Sequence, residues 1–175
     1  MCLQDSKKLN GIDYVSYYES PLGTITMASD GEALTGLWFQ GQKYYANGLS
    51  EDYVEKMIPI FEEVSNWLDV YFSGKEPEFM PCVKLKGSEF RKEVWEILFT
   101  IPYGKTMTYG EIADQMAKKR GIEKMSAQAV GGAVGHNPIS LIVPCHRVVG
   151  SNGEMTGYAG GVERKIKLLK MEGAC

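Results

Sequence analysis

The chain has 175 residues, of which 44% are hydrophobic and 23% are charged, so it is long enough to bury a core and is predicted to be globular. Its apolar runs are interrupted well before the roughly 20 residues needed to cross a bilayer, so we expect no membrane segment and no membrane partner. The net charge of −3 divides into −7 for residues 1–85 and +4 for residues 86–175, which favours a polyanionic partner for the second part only, although unevenly charged solvated surfaces would give the same count.

The first half of the sequence predicts a small antiparallel sheet covered by one helix. Three runs rich in β-branched and aromatic residues predict strands, at residues 14–20, 24–29 and 33–39. Residues 58–74 follow with apolar side chains at helical spacing, Pro59 near the start and Gly74 just beyond the end. The aromatic residues of this helix are expected in the core.

A stretch with two prolines, two glycines and no clear periodicity, residues 74–87, is typical of a link between domains. We therefore predict a first domain of residues 1–80 and a second domain of residues 81–175.

The second domain is predicted to be largely helical. Ser88 is the expected cap of a helix with one apolar stripe, formed by Phe90, Val94, Ile97 and Ile101. Thr108 and Glu111 have the spacing of a capping box and begin a second helix, which we expect to end at Gly121. Residues 162–173 predict a last helix.

A third helix of this domain, predicted over residues 126–137, has an unusual composition. With the preceding helix it makes a plausible helix-turn-helix. The helix contains three glycines and three alanines, and each glycine would weaken an exposed helix by about 1 kcal/mol relative to alanine. Another constraint must therefore favour residues with little or no side chain. Close approach to a DNA minor groove, only about 6 Å wide, is one explanation, and tight packing inside the protein is the other.

The four cysteines include no CxxC pair and the chain has only two histidines, so we expect no metal and no cofactor. The amino-terminal segment MCLQDSKKLN lacks the apolar core of a signal peptide, which favours a cytoplasmic protein with reduced thiols. Cys82 is expected to be a small apolar filler. Cys145 is either a buried structural thiol or a nucleophile that needs a base, for which His146 is adjacent and Glu172 is a candidate orienting acid.

Three segments around Cys145 carry a strong resemblance. PCHRVVG (144–150), AVGGAVGHNPISLIV (129–143) and GYAGGVERKIKLL (157–169) are similar to the active-site signature of the O6-alkylguanine-DNA alkyltransferases, also called methylated-DNA–protein-cysteine methyltransferases. The similarity continues through IPYGKTMTYGEIA (101–113) and, more weakly, through residues 20–39.

The resemblance implies an α+β fold, with an N-terminal ribonuclease H-like α/β domain and a C-terminal helical domain of winged helix-turn-helix type. It implies direct DNA repair: a monomer binds double-stranded DNA through the minor groove, extrudes the damaged base and moves its alkyl group irreversibly to a cysteine. The substrate class would be O6-alkylguanine, with O4-methylthymine as a further substrate, and each molecule would act once.

The resemblance also implies a role for individual residues. Cys145 would be the acceptor, His146 its base through a water molecule, and Glu172 the orienting carboxylate. Asn137 would brace the turn before Cys145, and Tyr109 would assist departure of the guanine, whereas Arg147 would be structural. Contacts to the DNA or the base would come from Ala127, Gln128, Ala129, Gly131, Gly132, Val148, Tyr158, Ala159 and Gly160.

Gln128 departs from the family pattern, because many relatives carry an arginine there that enters the stack in place of the extruded base. Glutamine brings no charge and no guanidinium plane, so we expect slower base extrusion. Three other functions are compatible with parts of the sequence: a lesion binder without transfer, which would lack the cysteine, a redox-sensing regulator, and a cysteine hydrolase.

Overall fold

The computed structural model describes residues 11–175 and divides the chain into two compact units, Met1–Lys86 and Gly87–Cys175. Cys2 and the segment considered as a signal peptide lie outside the described residues. Within residues 11–175, no helix has the length and apolar character needed to cross a membrane.

The first unit contains a four-stranded sheet. The strands are β1 (Asp13–Ser20), β2 (Gly23–Ser29), β3 (Leu34–Phe39) and β4 (Tyr53–Glu55), in the spatial order β3-β2-β1-β4. The β1–β2 and β2–β3 pairs are antiparallel, as expected from the short turns between them, whereas β4 is parallel to β1. β4 was not predicted, because its three residues are all exposed and show no apolar alternation.

The predicted helix of the first unit is confirmed as α1 (Pro59–Phe72), with Pro59 in its first turn. Its buried stripe includes Phe61, Val64 and Leu68. The Tyr18 hydroxyl of β1 donates to the Asp69 carboxylate of α1 at 2.6 Å, which fixes the helix against the sheet.

The first unit extends beyond residue 80, the predicted end of the first domain, because the chain returns to the sheet. Backbone hydrogen bonds join Leu34 to Cys82 and to Lys84, and the Lys84 ammonium pairs with the Asp30 carboxylate at 3.3 Å. Cys82 is half-buried.

The second unit consists of helices with a small parallel strand pair. Its elements are α2 (Glu89–Leu98), β5 (Met107–Thr108), α3 (Tyr109–Arg120), α4 (Ala127–Gly135), β6 (Val148–Val149) and α5 (Val162–Met171), with β5 paired to β6. Short 3₁₀ helices span Cys145–Arg147 and Ser151–Gly153. The Trp95 indole of α2 donates to the Ala133 carbonyl of α4 at 2.8 Å, so α4 is held from its inner side.

The predicted helix signals of this unit are mostly confirmed. Ser88 caps α2, and Thr108 and Glu111 form both hydrogen bonds of the capping box, while Gly121 ends α3 in the left-handed region with φ 65°. Ile101 is buried but lies outside α2, which ends at Leu98. The proline that follows Ile101 disfavours helical backbone at that residue.

Candidate active site

Cys145 lies in a 3₁₀ turn directly before strand β6. The turn spans Cys145–Arg147 and is closed by the Arg147 amide, which donates to the Pro144 carbonyl at 3.0 Å. Successive side chains project to opposite faces only along a strand, so this alternation does not apply to Cys145 and His146.

Asn137 fixes the segment that leads into this turn. Its amide Nδ2 donates to the Val143 carbonyl at 2.8 Å and to the Ile139 carbonyl at 3.3 Å, while its Oδ1 accepts from the Ile139 amide at 3.0 Å. Between these anchors Leu141 is buried with φ 70°, a left-handed conformation that costs a bulky residue roughly 1–3 kcal/mol. The bracing role that the resemblance implies for Asn137 stays a prediction, and these bonds support it.

The Cys145 side chain is almost fully buried, with 5% of the residue exposed. Burial raises the pKa of the thiol, and the Asn137 side chain, the Lys165 charge and the backbone amides of the turn act in the opposite direction. The sulfur thus lies among polar groups and beneath a cover of other residues.

His146 is fully buried and paired with Glu172, the C-terminal cap residue of α5. The His146 Nε2 lies 2.7 Å from Glu172 Oε1. Arg147 makes a bidentate contact with the same carboxylate, with Nε donating to Oε2 at 2.9 Å and Nη2 donating to Oε1 at 3.1 Å. The sequence analysis expected the contact between His146 and Glu172, whereas it described Arg147 only as structural.

Burial and charge act against each other in this cluster. Burial alone would raise the pKa of Glu172, but hydrogen bonds and charges from His146 and Arg147 lower it to about 2. The pKa of His146 is lowered, because burial disfavours the imidazolium more than Glu172 favours it. The resting pair is therefore a carboxylate beside a neutral imidazole.

Lys165 is a site residue that the sequence analysis missed. It is fully buried within α5, and its ammonium donates to the carbonyls of Val148, Thr156 at 2.9 Å and Gly157 at 3.3 Å. Burial lowers its pKa to about 8. A signal was present, because Lys165 shares the i, i+3, i+4 face of α5 with two buried leucines, Leu168 and Leu169.

Tyr158, Ala159 and Gly160, which the resemblance assigns to base contacts, form a loop directly after these carbonyls. The half-buried Tyr109 donates from its hydroxyl to the Thr156 and Gly157 carbonyls, both at 3.4 Å, at the near end of the loop. At the far end, a Cβ on Gly160 would lie 2.6 Å from the Tyr158 ring, so this position excludes a side chain unless the ring moves. Val148 is buried, and its carbonyl oxygen accepts from Lys165 with one of its two lone pairs, so the oxygen can still accept from a further donor.

The outward face of α4 separates the two explanations for its small residues. Ala127, Gln128, Ala129 and Gly132 are exposed, while Val130, Ala133 and Val134 face inward. A Cβ on Gly132 would meet nothing within 4 Å, and one on Gly131 would make an ordinary 3.8 Å contact with the Tyr109 ring. Internal packing does not require glycine at either position, which favours approach of an external surface.

Among residues 11–175 no group of three or more potential metal ligands comes together. The site brings together Cys145, the His146–Glu172 pair that Arg147 contacts, and the buried Lys165 ammonium held by backbone carbonyls, next to a helix whose outward face carries small residues.

Comparisons with known proteins agree with this arrangement. Two family models match: "6-O-methylguanine DNA methyltransferase, ribonuclease-like domain" over residues 14–85 and "6-O-methylguanine DNA methyltransferase, DNA binding domain" over residues 89–174. A methylated-DNA–protein-cysteine methyltransferase of Mycobacterium bovis is 44% identical over 88% of this chain and 88% of its own length. One from Methanosarcina acetivorans is 43% identical over 93% of this chain and 99% of its own length.

Solved structures show the same similarity. The Mycobacterium tuberculosis O6-methylguanine methyltransferase superposes with a TM-score of 0.77 at 40% identity, over 93% of this chain and 94% of that chain. A structure of Mycobacterium tuberculosis OGT in complex with DNA gives a TM-score of 0.77 at 41% identity, over 92% of this chain and 93% of that chain.

Proposed function

Because the chain belongs to the 6-O-methylguanine DNA methyltransferase family, we propose that Cys145 is the thiol that accepts an alkyl group from O6 of guanine in DNA. The protein is a methylated-DNA–protein-cysteine methyltransferase with DNA as its partner, and its fold is the predicted ribonuclease-like domain joined to a helical DNA-binding domain. The observation that carries the assignment of Cys145 is the linkage of its turn to the buried His146–Glu172 pair.

The proposed transfer is a displacement at the alkyl carbon. A bond forms between the Cys145 sulfur and that carbon while the bond from carbon to O6 breaks, and the electron pair remains on the guanine. The guanine then takes up a proton and is restored, whereas the thioether is stable, so each molecule reacts once.

His146 is proposed to remove the thiol proton. Its Nε2 faces the Glu172 carboxylate, which accepts only, so the ring proton lies on Nε2 and the lone pair lies on Nδ1. Nδ1 then receives the Cys145 proton through a water molecule, and Glu172 stabilises the imidazolium that forms. The neutral resting ring suits this role, because a base that is already protonated accepts nothing.

Tyr109 and the loop 156–160 are proposed to enclose the extruded base. The alkyl carbon is shielded inside a duplex, so the nucleotide has to leave the stack, at a cost of a few kcal/mol. Tyr109 would donate a proton to the departing guanine, while Tyr158, Ala159 and Gly160 would line the cover. Val148 is proposed to contact the base from the opposite side.

The exposed face of α4 is proposed to enter the minor groove. Gly132 and its neighbours leave no side chain that would prevent a helix from approaching a groove about 6 Å wide. All proposed site residues belong to one unit of one chain, which is compatible with action as a monomer. A thiol that reacts once also needs a reducing compartment, as the cytoplasm provides.

The experiment that tests the proposal is mass spectrometry of the peptide containing residue 145 after incubation with duplex DNA that contains O6-methylguanine. We expect replacement of one thiol hydrogen by a methyl group at Cys145, and no modification in Cys145→Ala. Repeating the incubation with O4-methylthymine tests the second substrate. Tight binding to the lesion with an unmodified Cys145 would instead identify a lesion binder.

A further inference from the structure

Arg147 occupies a position that joins three parts of the second unit. Its guanidinium donates to both oxygens of Glu172, and Nη1 donates to the Ile101 carbonyl at 2.8 Å. The guanidinium carbon also lies 5.6 Å from the centre of the Tyr103 ring. The side chain is 12% exposed, so these contacts form largely out of solvent.

The carboxylate of Glu172 is fully committed by these contacts. Oε1 accepts from His146 at 2.7 Å and from Arg147 at 3.1 Å, and Oε2 accepts from Arg147 and, at 3.4 Å, from the Gly104 amide. A bidentate guanidinium fixes the plane of a carboxylate as well as its position. Glu172 therefore holds the His146 ring from a rigid support.

Arg147 also changes what Glu172 does electrostatically. The charged and titratable groups that act on the His146 ring are the Glu172 carboxylate, the Arg147 guanidinium and the Lys165 ammonium, with Cys145 adjacent in the turn. Glu172 raises the pKa of His146, whereas the two cations lower it. Burial is the largest cause that lowers the pKa of His146 and does not depend on Arg147, but without Arg147 the carboxylate charge would act more strongly on the imidazole and raise that pKa.

We propose that Arg147 is a positioning residue for alkyl transfer: it fixes Glu172 against the His146 ring and shares the carboxylate charge, so that Arg147 and burial together keep the ring neutral until the Cys145 proton arrives. The proposal rests on the proposed function of Cys145 and His146. A purely structural Arg147 would join the same segments without influencing when His146 becomes protonated.

Two substitutions in the full chain separate the bidentate contact of Arg147 with Glu172 from the positive charge of Arg147. Arg147→Gln removes the charge, and Arg147→Lys keeps a charge without the bidentate geometry. For each protein, the rate of a single methyl transfer from O6-methylguanine DNA is measured between pH 5 and 9. The His146 ring is titrated by NMR in parallel, its signal being assigned with His136→Gln, since the chain has only two histidines.

For Arg147→Gln we expect the acid limb of the rate profile and the His146 titration to move upward together, by about one pH unit. For Arg147→Lys we expect both to stay within a few tenths of a unit of the wild type, with a plateau rate lower by about threefold to tenfold because the carboxylate is held less firmly. An unchanged His146 titration in folded Arg147→Gln would overturn the proposal.

If Arg147→Gln does not fold, Arg147→Lys decides the question. If the acid limb of the rate profile moves up by about one pH unit in the lysine variant, charge sharing is contradicted. If the plateau rate of that variant equals the wild-type rate, positioning by the bidentate contact is contradicted. The proposed function is judged separately, by methylation of Cys145 in the wild type. If that is absent, the function fails, while the His146 titrations still test whether Arg147 governs the ring.

Discussion

The cluster near Cys145, formed by His146, Arg147, Lys165 and Glu172, and the outward face of α4 lie in the same unit, yet their residue types are opposite. The cluster holds one carboxylate, two cations and an imidazole, all of them tied by hydrogen bonds. The α4 face carries no charge and almost no side chains. The contrast matches the two tasks proposed for these regions: proton transfer needs charges fixed out of water, whereas approach to DNA needs a helix with little on its surface.

The largest expected difference between the two regions is their contribution to stability at acid pH. Glu172 has a pKa of about 2 in the folded chain, below its ordinary value of 4.5, so its contribution to stability is present above pH 4.5 and is lost as the pH falls to about 2. The shift corresponds to about 3 kcal/mol of unfolding free energy. Denaturant unfolding of wild type and Glu172→Gln at several pH values measures it, because the variant lacks this titration.

The comparison fails if the two proteins lose stability in parallel between pH 4.5 and pH 2. The α4 face has no titratable group, so Gly132→Ala serves as a control whose pH dependence follows the wild type.

An intermediate effect is expected at Gly132. A leucine there has open space and a helical backbone, so we expect unchanged or slightly higher stability, by up to about 1 kcal/mol. We also expect roughly tenfold weaker binding to duplex DNA, because the new side chain occupies the surface that the groove must contact, while Gly132→Ala loses less. Fluorescence anisotropy and thermal unfolding measure the two properties. If the leucine variant unfolds more easily and binds DNA as well as the wild type, the glycines of α4 serve internal packing instead.

The smallest effect is expected at Gln128, the exposed residue of α4 where many relatives carry arginine. Gln128→Arg should raise the repair rate on duplex DNA by about threefold, because a guanidinium stacks in the vacated position and attracts the backbone. The rate on the free base should not change. Equal rates of variant and wild type on duplex DNA would show that extrusion does not depend on this side chain.

The elements that the sequence predicted best are those with local signals. The capping box at Thr108 and Glu111 and the apolar spacing of α1 involve residues within one or two turns of each other, so their pattern is visible along the chain. The resemblance supplied Cys145, His146 and Glu172, and the structure brings the last two within hydrogen-bonding distance.

What the sequence could not predict depends on contacts between distant residues. Strand β4 pairs with β1 across more than thirty residues and has no pattern of its own. Lys165 is ordinarily an exposed residue type, and only the carbonyls of residues 148, 156 and 157 make its burial acceptable. Arg147 was left as structural, because its fork on Glu172 and its bond to Ile101 join residues far apart in sequence.

The depth of the Cys145 sulfur has a consequence for a protein that its own reaction consumes. Dissolved oxidants and small electrophiles attack thiolates they can reach, and every such event would remove one molecule from service before it met a lesion. At 5% exposure, and with a pKa raised by burial, the sulfur stays shielded from them. We therefore expect this covering to preserve the repair capacity of the cell between encounters with a lesion.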